Sequence, residues 1–128
     1  MRFAMILLGA LLAVNAAAQL ATQKQSANGV TFAVTPGDLS ADAKVWEFRI
    51  ALDTHSQDLS DDLVKTAVLA DDRGNEFPPL AWEGAAPGGH HRAGVLKFDA
   101  PAVRPQAVEL RIRRPGEPKA RVFRWELK

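Results

Sequence analysis

Three histidines are the side chains of this 128-residue chain best suited to acid–base or ligand chemistry near neutral pH. His90 and His91 are adjacent, in PGGHHRAGVLKF, and His55 follows Asp53-Thr54 in the stretch LDTHSQDLSDDL. If the two segments meet, the imidazoles converge with Asp53, Asp58, Asp61 or Asp62. Imidazoles joined by a carboxylate suit Zn(II) or Cu(II), so a metal set of His55, His90, His91, Asp53 and Asp58 is one expectation. Neighbours on a strand point to opposite faces. The adjacent histidines should therefore face different ways, one toward the interior side and one toward the loop surface, unless Gly88-Gly89 leaves His90 in a turn.

The other expectation is a brace. A histidine beside a Thr/Asx turn commonly pins a loop, Gly88-Gly89 permits a tight turn, and Arg92 can pair with a loop acid. A pH-sensing role for the imidazoles is a third possibility. Catalysis has little to build on. Thr54, His55 and Ser56 are consecutive, consecutive residues on an extended chain rarely aim at one another, and no nucleophile elbow accompanies them. The acidic runs DLSDD and DDRGNE lack the alternating oxygen ligands and closing Glu of a calcium loop. No cofactor is expected, with copper or zinc as the alternative.

The elements that must position these residues read as β-structure. In VWEFRIAL, Trp46, Phe48, Ile50 and Leu52 alternate with Glu47, Arg49 and Ala51, the period-two signature of a half-buried strand. Trp46 is the candidate core tryptophan. Val30 to Thr35 predicts a shorter strand closed by Pro36-Gly37. Leu59 and Leu63 are apolar anchors that allow one helical turn, and VKTAVLA predicts a strand leading into the turn DDRGN. Glu76 to Trp82, broken by Pro78-Pro79, suits an edge strand or a crossing between sheets. His91 to Phe98 predicts another strand. Val108 to Arg113 and Phe123 to Lys128 predict a long hairpin turning at Pro115-Gly116. About seven strands with frequent turn signals and no sustained helical period predict an antiparallel, immunoglobulin-like β-sandwich. It would be immunoglobulin-like in architecture only, since there is no cysteine for a disulfide and no tyrosine.

Composition bounds the setting. Arg2, an apolar run from Phe3 to Val14 and Ala16-Ala17-Ala18 have the form of a secretory signal. The run is shorter than the ~20 residues of a membrane span. Residues 1–18 are thus expected to be a cleaved signal peptide, 19–28 a flexible leader and 29–128 one domain, in the periplasm or outside the cell, with no membrane span after cleavage. Removing Arg2 from 16 basic and 15 acidic residues leaves a balanced chain, which argues against nucleic acid as the main partner. Acids nonetheless concentrate between Asp38 and Glu76 and bases from Arg92 onward. Either the two halves interleave and pair, or one surface is polarised.

The segments WEFRIALDTHSQDL, AVLADDRGNEFPPLAWEG and PGGHHRAGVLKF resemble a group of small secreted or periplasmic prokaryotic domains in which THS-, AWEG- and GHHR-type segments recur. The resemblance covers roughly residues 45–98 and implies that the three segments act as one unit; it carries no established activity to these positions. The resulting expectation is a binding or accessory module whose loop pole joins Thr54, His55, Ser56, Trp82, Glu83, His90, His91 and Arg92. Its partner would be a protein, a glycan or a small anion. A metal-binding protein is the alternative, and a small hydrolytic enzyme comes third.

Overall fold

The computed structural model describes residues 20–128; the expected signal segment lies outside the described residues. The chain is all-β, with two antiparallel sheets in a sandwich-like arrangement. The strands are β1 (Gln23–Ala27), β2 (Val30–Pro36), β3 (Val45–Thr54), β4 (Ala67–Asp71), β5 (Glu76–Phe77), β6 (Ala81–Gly84), β7 (His91–Asp99), β8 (Ala107–Ile112) and β9 (Arg121–Glu126). One helical turn, α1 (Leu63–Thr66), precedes β4. The first sheet runs β1-β2-β3-β7-β6 and the second β5-β4-β8-β9.

Period two decides what is buried. On β3, Trp46, Phe48, Ile50 and Leu52 are all buried and the intervening residues are more exposed. The same alternation buries Val30, Phe32 and Val34 on β2 and Phe123 and Trp125 on β9. The two inner faces meet through aromatic pairs: Phe32 stacks on Phe123 at 6.4 Å, and Phe48 lies 5.6 Å from Trp125. Such pairs add about 0.5–1.5 kcal/mol each beyond their area burial. Trp46 is fully buried and donates its indole N–H to the Ser40 carbonyl.

Among the described residues nine strands stand where the periodicity predicts about seven. Pro78-Pro79 splits the expected Glu76–Trp82 segment into two: β5 pairs with β4 in the second sheet, and β6 pairs with β7 in the first. This prolyl stretch is the crossing between sheets. The expected flexible leader is corrected over Gln23–Ala27, which pairs with β2 as an edge strand. Small polar residues hide that strand because its outer neighbour is solvent. Its Gln23 and Gln25 side chains donate to the carbonyls of Arg124 and Val122, covering the open edge of β9. Val64–Thr66, expected to begin a strand, instead complete α1, where the amides of Lys65 and Thr66 both donate to the Asp62 carbonyl.

The acid-rich and base-rich halves interleave. Lys97 pairs with Glu47 and Glu83, Arg111 with Glu76 and Arg114 with Asp61. The turn after β4 is built on Asp71, which accepts the amides of Arg73 and Asn75. Burial pushes the Asp71 carboxyl up, but these bonds and the one from the Asn75 side chain outweigh it and hold the group below its usual range. Gly74, at φ +84°, supplies the left-handed step in this turn.

Candidate functional site

Antiparallel pairing of β3 with β7 brings the end of one strand beside the start of the other: Asp53 is the register partner of His91, and Leu52 of Arg92. The loops that follow and precede them are then joined by backbone bonds. Thr54 N–H donates to the His90 carbonyl (3.0 Å), Leu59 N–H to the Gly89 carbonyl (3.1 Å) and Gly88 N–H to the Leu59 carbonyl (2.8 Å). His55, His90 and His91 therefore share one pole of the fold.

Thr54 is the inward residue at the end of β3 and is buried. Its hydroxyl donates to the Gly29 carbonyl (2.7 Å) and accepts the amides of Ser56 and Gln57, bending the chain away from the strand direction. Gly29, at φ +77°, holds a left-handed backbone that would strain any residue with a side chain. His55, Ser56, Asp58 and His90 are all exposed around this pinned turn. His91 and Asp53 face outward together, with Nδ1 of the imidazole against Oδ1 of the carboxylate. That contact occupies one ring nitrogen; Nε2 has no hydrogen-bond partner among the described residues.

Neither of the adjacent histidines faces the interior, which corrects the expected split. His90 precedes the strand and is exposed in the turn; β7 begins at His91, so alternation sends His91 out and Arg92 in. Arg92 is 1% exposed. Its expected pairing with a loop acid is also corrected: it donates to the carbonyls of Leu59 (3.1 Å), Asp61 (2.7 Å) and Ala85 (3.3 Å). Its Nε has no hydrogen-bond partner among the described residues. Its guanidinium lies 5.6 Å from the Trp82 ring centre, and the Trp82 indole N–H donates to the same Ala85 carbonyl. Trp82 and Arg92 thus hold the three segments together from inside. Glu83 faces the other way, to an outward ion pair with Lys97 at 2.9 Å. The Glu83 hydrogen bond, with Glu83 and Glu47 charge nearby, raises the Lys97 ammonium above its usual range.

The five expected metal residues are at or near one pole without being gathered on a point. Among the described residues no group of three or more His, Asp or Glu side chains is placed to hold a metal ion. Asp53 is engaged by His91, while Asp58 lies beside Gly88.

A buried charge network beneath the pole escaped the sequence analysis. Asp61, with no exposed side-chain surface, takes a bidentate contact from Arg114 at 2.8 and 3.0 Å. Glu117 accepts two bonds from Arg121 at 2.9 and 2.8 Å and lies 3.5 Å from Arg114. Arg121 reaches on to the carbonyls of Val30 and Ala27, and its guanidinium stacks 4.7 Å from the Phe32 ring centre. The hydrogen bond from Arg121, then its charge, holds the Glu117 carboxyl below its usual range, whereas the Asp61 carboxylate raises Arg114. The local signal was the run Arg114, Glu117, Arg121 around Pro115-Gly116; nothing local pointed to Asp61, 53 residues away.

No protein-family model, curated protein or solved structure matches the chain.

Proposed function

We propose that this chain is an exported binding or accessory module, immunoglobulin-like in architecture, that engages its partner through the pole carrying His55, Ser56, His90 and His91. The observation that carries the reading is a division of labour within the three segments. Thr54, Arg92 and Trp82 fix the loops from inside, which leaves His55, Ser56 and His90 exposed around them and His91 held at its Nδ1 by Asp53. Side chains held in place before contact lose less entropy on binding. The partner class that suits exposed imidazoles beside a carboxylate is a polar one: a protein loop, a glycan or a small anion.

The test uses the mature chain, residues 19–128, as bait against a periplasmic extract, followed by affinity measurement on the captured partner. His55→Ala and His91→Ala should each weaken binding by about tenfold, the cost of one polar contact of about 1.4 kcal/mol. Lys65→Ala, on the exposed side of α1, should not. Equal binding by all variants would remove the pole from consideration.

The Asp53–His91 contact favours a second reading. A carboxylate behind one ring nitrogen orients an imidazole to offer the other to a metal, which keeps Cu(II) or Zn(II) binding as the alternative. Calorimetric titration of either ion, repeated with His91→Ala, tests it; absence of heat from the unmodified chain rejects it.

A further inference from the structure

We infer that the outer face of the first sheet binds a single-chain amphiphile, an alkyl chain ending in one carboxylate, in a groove that runs across the strands. The groove is separate from the pole, since His55, His90, His91 and Asp53 do not line it.

Alternation turns a row of small side chains outward. Ala33 on β2, Ala51 on β3 and Ala93 on β7 are register partners, and the Gly84–Gly94 pair carries the row's edge on to β6 as bare backbone. Thr35, Arg49, Val95 and Glu83 form the taller row beside them. Between the two rows lies a depression of about 470 Å³. Three strand spacings make it about 14 Å long, and two residues of strand rise make it about 7 Å wide. An extended dodecyl chain has that length.

The floor decides the body of the ligand. β2, β3 and β7 are interior strands, so their N–H and C=O groups are bonded within the ladders. A sugar or a peptide laid across them would lose hydrogen bonds to water and regain none, whereas a hydrocarbon has none to lose.

The charges decide the head. Lys24 on β1 is the register partner of Ala33 and closes one end of the alanine row. Lys24 and Arg49 are both exposed, and neither has a carboxylate in ion-pair range among the described residues. The acids around them are engaged: Glu47 and Glu83 by Lys97, Asp53 by His91, Glu126 by Arg124 and Asp38 by the Ser40 N–H. Two strands and two residues separate Lys24 from Arg49, about 12 Å between Cα atoms, a gap their long side chains close upon one anion held over Ala33. Beside that point the Thr22 and Thr35 hydroxyls bond each other at 2.7 Å, which uses one hydrogen and leaves the second for the anion. Glu83 stands at the far end, so the carboxylate lies toward β1 and the tail toward β6. An open groove covers one side of the chain only, which sets the dissociation constant at hundreds of micromolar.

Titration of the mature chain with dodecanoate below micelle formation, followed by amide chemical shifts, tests this. Shifts centred on Ala33, Ala51, Ala93 and Gly94 should saturate with a Kd of about 0.1–1 mM, leaving the amides of His55 and His90 unmoved. Acetate, the head alone, should give no saturable shift. Dodecyltrimethylammonium, the same tail with the opposite charge, should bind at least tenfold more weakly. The double variant Lys24→Glu with Arg49→Glu should weaken dodecanoate at least tenfold, and Ala51→Leu, which fills the floor without altering a charge, should abolish its shifts. Circular dichroism verifies that these outward substitutions leave the fold intact. The absence of saturable shifts at about 1 mM dodecanoate overturns the inference. So does affinity indifferent to the double charge reversal, equal affinity for the two amphiphiles, or shifts centred on the core around Trp46. The pole reading uses none of these residues, so failure here leaves it standing.

Discussion

Replacing Arg114 by methionine should be among the most damaging single changes available to this domain. The substitution keeps much of the side-chain volume and removes the cation. Asp61 then retains a carboxylate with no exposed surface and loses both of its 2.8 and 3.0 Å charge-assisted bonds. Breaking a buried pair in this way costs about 3–5 kcal/mol, because the orphaned charge cannot regain water. The mirror change, Asp61→Ala, should fall nearer the lower figure, since Arg114 keeps Glu117 at 3.5 Å. For a domain of this size, about 4–8 °C of melting temperature accompanies each kcal/mol, so Arg114→Met should melt at least about 12 °C lower. Total stability is about 5–15 kcal/mol, which makes this loss survivable but large. The assay is urea unfolding followed by the fluorescence of buried Trp46 and Trp125. Removing both charges together, as Asp61→Leu with Arg114→Met, should recover most of the loss, because two apolar groups leave nothing unpaired. A cost below about 1 kcal/mol for Arg114→Met, or a double variant no better than the single, would refute the view of this pair as a buried, mutually dependent unit.

Acid should loosen the same pole. The folded Glu117 carboxyl is held below its ordinary value of 4.5, so the unfolded chain takes up that proton first; its contribution is full above that value and is lost as the pH falls through the lower, folded one. Glu117→Gln should flatten this acid limb in pH-dependent urea titrations. Gly94→Ala should cost about 1–3 kcal/mol and shift tryptophan emission, since a Cβ would stand 2.6 Å from the Trp82 ring and 2.8 Å from the Glu83 carbonyl. Thr54→Val should cost about 1–3 kcal/mol by leaving the Gly29 carbonyl and the Ser56 and Gln57 amides without their partner. Amide exchange at Ser56 and Gln57 should quicken at the same time.

The β-strands were legible wherever burial on one face imposes period two, as in Trp46 to Leu52 and Phe123 to Leu127. Turns announced by Gly74 and Pro115-Gly116 were legible for the same local reason, that few residues adopt the required backbone. β1 was not, because its residues face solvent or reach across an edge, and neither leaves an apolar alternation. The candidate pole was legible only as three segments. That Thr54 N–H reaches the His90 carbonyl follows from β3 pairing with β7, a choice made over about 40 residues of intervening chain.

What the sequence by itself determined is the alternation: an all-β chain, with Trp46 inside and Glu47 outside, and with histidines at strand ends. Tertiary structure alone decided that the inward Arg92 meets the carbonyls of Leu59, Asp61 and Ala85, that the outward His91 meets Asp53, and that Asp61 finds Arg114 across the interior. The physical reason is range. Side-chain direction along a strand is set by neighbours one and two residues away, whereas a buried charge is tolerable only where a distant part of the chain supplies its partner.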